Sequence, residues 1–198
     1  EIKFETKLNL KNINFKIDNI NYKKKEKTNM LLQIKGELID GKNLNINNFI
    51  INEENNKIKI MNLFLNRSYK IKKIDQAELN YIDTENKKNK LIVKKISDFD
   101  YIINGNYFNA NFLISNLLKN EEKKEINFFE NDINIELDLK EVYIDEIYSV
   151  KDLSGKFKIE NNKVSGADIL AIFDDSQNIK FTIRTNDQGE KITTLFSS

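Results

Sequence analysis

Four residue types are missing from this chain. It has no cysteine, histidine, proline or tryptophan, and arginine occurs only as Arg67 and Arg184. Without cysteine there is no disulfide framework, no thiolate nucleophile and no cysteine-ligated metal. Without histidine, Ser-His-Asp chemistry and an imidazole general base are excluded. Glycine is scarce, and Gly105, Gly155 and Gly166 make no phosphate-binding pattern, since none opens a helix after a strand. The dominance of Lys, Asn and Ile follows A/T-rich codons, so we read it as genome composition rather than as selection for a surface property. It leaves the cellular compartment open.

Long apolar runs are lacking as well, and none approaches the roughly 20 residues that span a bilayer. The chain opens on Glu1 and stops at Phe196-Ser197-Ser198, inside an alternating run. The expectation is a piece of a longer protein, with any leader or membrane anchor lying outside it. Charge surplus is also absent: 32 Lys and Arg face 31 Asp and Glu. A nucleic-acid partner is therefore not expected. Lys23-Lys24-Lys25-Glu26-Lys27 is locally basic, and Glu121-Glu122-Lys123-Lys124-Glu125 mixes signs. The first run fits a phosphate or anionic-lipid contact. It fits a solvated hairpin tip better, because charge clusters gather in turns.

Alternation is what the sequence has in abundance. Ile133, Ile135, Leu137 and Leu139 interleave with Asn134, Glu136 and Asp138, then Val142 and Ile144 move the apolar side to even numbers. Leu153, Phe157 and Ile159 return it to odd ones. A period of two gives each strand one apolar and one polar face. The same pattern runs through Ile2, Phe4, Leu8 and Leu10, changes phase after Lys11-Asn12 as at a bulge, and continues in Ile13, Phe15 and Ile17. Asp40-Gly41, Asn55-Asn56, 86–89, Asn104-Gly105, Asn161-Asn162, Asp174-Asp175 and Gly189 punctuate the runs as turns. Phe108, Phe112, Leu113, Leu117 and Leu118 alone fall at helical spacing. They predict one short helix near 109–119, capped by Asn109 and covering one end or edge of the sheet.

The expected fold is all-β and mainly antiparallel: a long, twisted, half-open β-groove sheet with that one helix. Residues 1–198 read as a single continuous segment, with a weak sub-boundary near 120–127. In its second half Ile133, Ile135, Leu137, Ile169, Ala171, Ile179, Phe181 and Ile183 should share one apolar side. One helix cannot cover so many one-sided strands. The face must close on itself as a sandwich or barrel, meet another domain, or stay open as a groove for an apolar ligand.

Nothing in the sequence converges on catalysis, and no catalytic, cofactor-binding or metal-binding residue is expected. Asp98 with Asp100, or Asp174-Asp175, would suit an acid/base pair or a calcium site, but the loop spacing of such sites is missing. Asn66-Arg67-Ser68 is a glycosylation triplet of a kind that arises by chance in an Asn-rich chain. The 13 Phe and 7 Tyr mostly follow the apolar phase. They indicate burial or groove lining rather than stacking platforms for bases or sugars.

The segments Val142-Tyr143-Ile144, Val150 to Phe157 with Leu153-Ser154-Gly155, Asn161-Asn162-Lys163-Val164 and Ala167-Asp168-Ile169-Leu170-Ala171 together resemble the AsmA-like superfamily. Ile192 to Ser198, and Ile102-Ile103-Asn104-Gly105 with Phe108, are similar to stretches of its YhdP-like branch. The resemblance covers chiefly residues 100–198 and rests on structural motifs. It implies a β-groove in an envelope protein that is anchored in the inner membrane and extends through the periplasm. The implied activity is non-enzymatic phospholipid transport between inner and outer membranes. Phospholipid acyl chains would lie on Ile133, Ile135, Leu137, Leu139, Ile169, Ala171, Ile179, Phe181 and Ile183, with other envelope proteins as further partners and no cofactor. Two alternatives stay open: a structural or adhesive envelope module whose apolar core is closed by a second sheet, and a glycan hydrolase on a β-scaffold. An outer-membrane barrel fits poorly, since aromatic girdles are missing.

Overall fold

A computed structural model describes residues 1–114, 129–161, 163–173, 177–186 and 188–198. The fold is all-β and mainly antiparallel, with 70% of residues in strands, as alternation predicts. The chain divides into two compact units, Glu1–Lys94 and Lys95–Ser198. The sub-boundary expected near 120–127 lies outside the described residues.

The first unit contains β1 (Ile2–Asn9), β2 (Lys16–Ile17), a 3-10 turn (Asp18–Ile20), β3 (Tyr22–Lys23), β4 (Met30–Ile39), β5 (Asn43–Glu53), β6 (Asn56–Leu65), β7 (Ile71–Ile82) and β8 (Lys88–Lys95). Its sheet runs β1-β4-β5-β6-β7-β8, every pair antiparallel, while β2 and β3 form a small ribbon of their own. Register carries the apolar phase from strand to strand. Leu8, Leu32, Ile51, Ile58, Leu79 and Leu91 stand opposite one another in sequence across the sheet. Directly opposed residues share a face, so one rung of aliphatic side chains crosses the whole unit. Thr6, Ile34, Phe49, Ile60, Ala77 and Val93 make the next rung.

Turn chemistry follows from the shortage of glycine. Asp40 and Gly41 both have positive φ, 51° and 62°, and Lys42 N–H donates to the Ile39 carbonyl at 3.0 Å. Two left-handed residues in a tight hairpin match the twist of the strands they join. The next turn falls at Glu54–Asn55 rather than at Asn55-Asn56, with Glu54 at φ 47°. Asn56 belongs to β6 and is buried, because its side chain is needed there: Nδ2 donates to Glu53 and Oδ1 accepts from the Ile82 amide. The turn expected at 86–89 centres earlier, where the Asp83 carboxylate accepts the Glu85 and Lys87 amides, both at 2.9 Å.

The phase change after Lys11-Asn12 is not a bulge in a continuing strand. β1 ends at Asn9, and residues 11–29 leave the sheet and fold back over its apolar face. Phe15, Ile17 and Ile20 pack there on a core of Leu10, Tyr22, Met30, Leu32, Ile51, Ile58 and Tyr81. The basic run is likewise not wholly solvated. Lys24 is buried, and its Nζ donates to the carbonyls of Lys11 and Lys25 at 3.0 and 2.9 Å.

The second unit contains β9 (Asp100–Asn109), β10 (Ile133–Tyr143), β11 (Ser149–Glu160), β12 (Lys163–Phe173), β13 (Gln177–Thr185) and β14 (Lys191–Ser197), in that spatial order. Asn104-Gly105 is not a turn: β9 runs straight through it, with Gly105 opposite Leu139. β9 and β10 are parallel, the one exception among the strand pairs in this unit. Parallel neighbours need a crossover of a dozen or more residues, and residues 110–132 supply it. Helix α1, residues 111–114, opens that crossover, and Asn109 Oδ1 accepts the Asn111 amide at 3.1 Å, the capping role expected of it. The helix expected over 109–119 starts two residues later, since Asn109 ends β9 and Ala110 is not helical. Its stretch over 115–119 lies outside the described residues, as do Asp174-Asp175 and residue 162 of the Asn161-Asn162 turn. Within their units β1 and β14 each have a single neighbour, so neither sheet is closed among the described residues.

Gly155 has φ +151°, and a Cβ there would lie 2.8 Å from Ile169 Cα and closer still to the Asp168 carbonyl oxygen. Gly155→Ala should therefore destabilise the chain by about 1–3 kcal/mol. Gly166→Ala, with its nearest neighbour 3.7 Å away, should stay within about 0.5 kcal/mol. Urea unfolding of the two variants checks the contrast.

Glu53 is fully buried and accepts four hydrogen bonds. Burial alone would raise its pKa, but the donors from Thr28, Tyr22, Asn56 and the Lys25 amide outweigh burial and hold it below the ordinary value of 4.5. A depressed folded pKa gives stability that is present above 4.5 and lost as pH falls through the lower folded value. Wild type should lose stability on acidification through that window, and Glu53→Gln should lose less. Thermal melts across an acid pH series measure the difference.

Candidate functional site

The second unit's apolar face is built by register, rung by rung. Tyr101, Ile135, Phe157, Ala167 and Ile183 stand in line across β9 to β13. Two residues along, Ile103, Leu137, Gly155, Ile169, Phe181 and Leu195 form a second rung that reaches β14. Leu139 opposes Leu153, and Ala171 opposes Ile179, in a third. Ile133, Ile159 and Val164 close the end of the face beyond the first rung. All nine residues singled out from the sequence thus lie on one side of one sheet.

A bulge decides where that face ends. Between Lys151 and Ser154 the register of β11 against β12 shifts by one residue, and Asp152 takes a positive φ of 48°. An extra residue in one strand flips the inward phase. Beyond it the buried pair is Val142 with Val150, and β10 keeps unbroken register with β11 across this point.

Burial along the face is uneven. Ile133, Leu139, Ala167 and Ala171 are buried, whereas Ile135, Leu137, Ile169, Ile179, Phe181 and Ile183 are half-buried. The edge residue Leu195 is 68% exposed. At the Tyr101 end the Phe129 ring approaches to 6.5 Å between centroids. Among the described residues, β2–β3 in the first unit is the sole sheet besides the main strands. Among the described residues no second sheet lies over the half-buried side chains.

The opposite face is mixed, with exposed Leu170, Ile192 and Phe196 among its polar side chains. Glu136, Lys156, Asp168, Thr182 and Thr194 occupy successive strands there. Arg184 Nη2 donates to Asp168 at 2.8 Å and Nη1 to the Ala167 carbonyl at 2.7 Å, and Lys180 lies 3.6 Å from the same carboxylate. The Arg184 hydrogen bond is the main cause that holds the Asp168 carboxyl below its usual range. These exposed pairs hold β12 to β13 and add little stability.

The carboxylates weighed for chemistry have structural partners instead. Asp98 pairs with Lys95 at 2.7 Å, and Asp100 accepts from Ser97 and from Asn134 Nδ2, bonds that lower its pKa. Asn66 Oδ1 accepts the Ser68 and Lys70 amides, so the glycosylation triplet builds a turn. Among the described residues no three carboxylates are grouped to hold a metal ion, and no helix is long and apolar enough to cross a membrane.

The sequence-based site set omitted Ile103, Phe157, Ala167 and Leu195 from these rungs. It also omitted the first unit, whose rungs through Leu32, Ile51 and Ile58 and through Ile34, Phe49 and Ile60 have the same construction. The alternation that found the nine was present in both cases, and the family resemblance confined attention to the second half. No protein-family model, curated protein or solved structure matches the chain.

Leu137 and Leu139 are two residues apart on one face, yet Leu139 is 3% exposed and Leu137 is only half-buried. Leu139→Asp should cost about 3 kcal/mol or more, since it strands an unpaired charge. Leu137→Asp should cost about 1 kcal/mol, because water reaches the carboxylate. Equal losses in chemical denaturation would mean that the middle rung is sealed.

Proposed function

We propose that this chain is a non-enzymatic lipid-holding segment of an AsmA-like envelope protein. It lines a hydrophobic groove along which phospholipids pass between inner and outer membranes. The carrying observation is the rung Leu137, Ile169 and Phe181, apolar, in register and half-buried on an open sheet. Gly155 completes the line between Leu137 and Ile169 without adding a side chain.

Physically, the face suits an acyl chain. Removing apolar surface from water is worth about 25 cal/mol per Å², and the half-buried rungs retain apolar surface that a chain would cover. The lipid head group stays in water beside the polar strand ends. The face presents aliphatic and aromatic contacts without a specific polar anchor, which suits sliding rather than tight capture. On this reading the protein works in the periplasm and is held to the inner membrane by a part of the longer protein. Phospholipid is its cargo, and other envelope proteins are its partners.

The closed-module reading has one observation in its favour. In the first unit, residues 11–29 cover part of the equivalent face, and Ile51 and Ile58 are completely buried beneath them. A structural or adhesive module would treat the second unit in the same way, with a cover supplied from elsewhere.

Purified chain should carry phospholipid, detected by mass spectrometry of the organic extract, and Phe181→Asp should deplete it while the melting temperature stays nearly unchanged. A photo-crosslinking residue at position 181 should capture lipid in cells. Collapse of the fold in Phe181→Asp, with no lipid on wild type, would point to the closed module.

A further inference from the structure

We propose that residues 11–29 form a hinged lid, and that the face beneath it, around Met30, Leu32, Ile51 and Ile58, is a covered acyl-chain site. The proposal rests on the lipid reading for its ligand, though not for the lid itself.

The geometry of the segment is that of a flap. β1 and β4 pair as far as Asn9 and Leu31, and Leu10 N–H then donates to the Met30 carbonyl at 2.9 Å. Everything between leaves and re-enters the sheet at that one point, so both ends share a hinge. Loops with close ends, packed by their own side chains, behave as compact units. Inside the flap, Lys24 N–H donates to the Phe15 carbonyl at 2.8 Å, and Lys24 Nζ ties the Lys11 and Lys25 carbonyls together. The flap thus carries its own internal bonds.

Its polar attachment to the sheet is concentrated in two latches. At the first, Glu53 at the end of β5 accepts from Tyr22 Oη at 2.6 Å, Thr28 Oγ1 at 2.6 Å and the Lys25 amide at 2.7 Å. All three donors belong to the flap. At the second, Tyr81 Oη donates to the Ile20 carbonyl at 2.7 Å, and the Thr84 amide and hydroxyl donate to Asn21 at 3.1 and 2.6 Å. Asn21 Nδ2 reaches Glu85 at 3.3 Å. Release of these bonds frees the flap without breaking one strand-to-strand bond of β4 to β7.

What lies underneath is the end of the unit's apolar face. Met30, Ile51 and Ile58 have no exposure, while the next rung, Ile34, Phe49 and Ile60, is half-buried. The lid's apolar residues, Phe15, Ile17, Ile20 and Tyr22, occupy the space that an acyl chain on the outer rungs would enter if it advanced one rung further. Lid and chain therefore compete for one surface. A closed lid stops the chain at the Ile34 rung, and an open lid admits it as far as Glu53.

The test combines hydrogen exchange with a fluorescent long-chain fatty acid, cis-parinaric acid, on wild type, Glu53→Ala, Glu53→Gln and Thr84→Ala. Glu53→Ala should speed exchange across 11–29 by roughly ten- to hundredfold while β4 to β7 stay protected. Fatty-acid binding should rise in the same variant. Thr84→Ala, at an exposed position, should give the same pattern more weakly, so the proposal stays falsifiable if Glu53→Ala does not fold. Loss of protection in β4 to β6 together with 11–29 would overturn it, because the flap would then be part of one cooperative core. Unchanged exchange over 11–29 in all variants would overturn it equally. Wild type that binds the fatty acid through the Phe181 face, with no gain on opening the lid, would sink the covered site alone. Wild type that binds none would sink the groove reading itself.

Discussion

A sheet with one apolar face cannot leave that face in water without cost, and the architecture follows from that constraint. Alternation alone gives single strands two unlike sides. The registers then align those sides, so Leu8, Leu32, Ile51, Ile58, Leu79 and Leu91 become one surface instead of six separate side chains. A shift of one residue anywhere would send half of them to the polar side. The two units meet the constraint differently. The first folds its own loop back over part of the face, and the second leaves its middle rungs half-buried on an open sheet.

The polar groups drawn inside by the first solution show how it is held. A buried carboxylate is tolerated only when hydrogen bonds replace its hydration, and Glu53 has donors on both oxygens. Tyr22, beside it, is pushed to a higher pKa by burial and by the carboxylate it donates to, so it remains a donor. Lys24 follows the same logic with carbonyl oxygens in place of a carboxylate. The loop is thus attached by directional bonds over an otherwise non-directional apolar contact, a combination suited to two discrete positions.

Composition explains much of the detail between strands. With six glycines and no proline, the turns draw on other residues for left-handed backbone. Asn21, Asp40, Asn86 and Asn161 have positive φ between strands, and Asn62 and Asp152 have it at irregular points within β6 and β11. Asn and Asp tolerate this region because their short side chains bond to nearby backbone. The Asn-rich composition is therefore compatible with a β-fold rich in tight hairpins.

Much of this was legible from residue order alone. Period-two alternation determined strands, faces and the shared side of Ile133, Leu137, Ile169 and Phe181, because side-chain direction in a strand depends only on parity. Asn109 signalled a helix start, and Asp40-Gly41 signalled a hairpin, because those side chains and φ angles act locally. Three matters were decided only in three dimensions. Ile13, Phe15 and Ile17 continue the alternation, yet they leave the sheet; Phe15 and Ile17 pack over its apolar face as a cover, while Ile13 stays exposed. Asn104-Gly105 has the composition of a turn but stays in β9, held by its parallel neighbour β10. Glu53 and Lys24 look solvent-exposed in sequence and are buried, because the partners that replace water for them come from residues up to 31 positions away. Parity is a property of the chain. Which distant group satisfies a buried charge is a property of the fold.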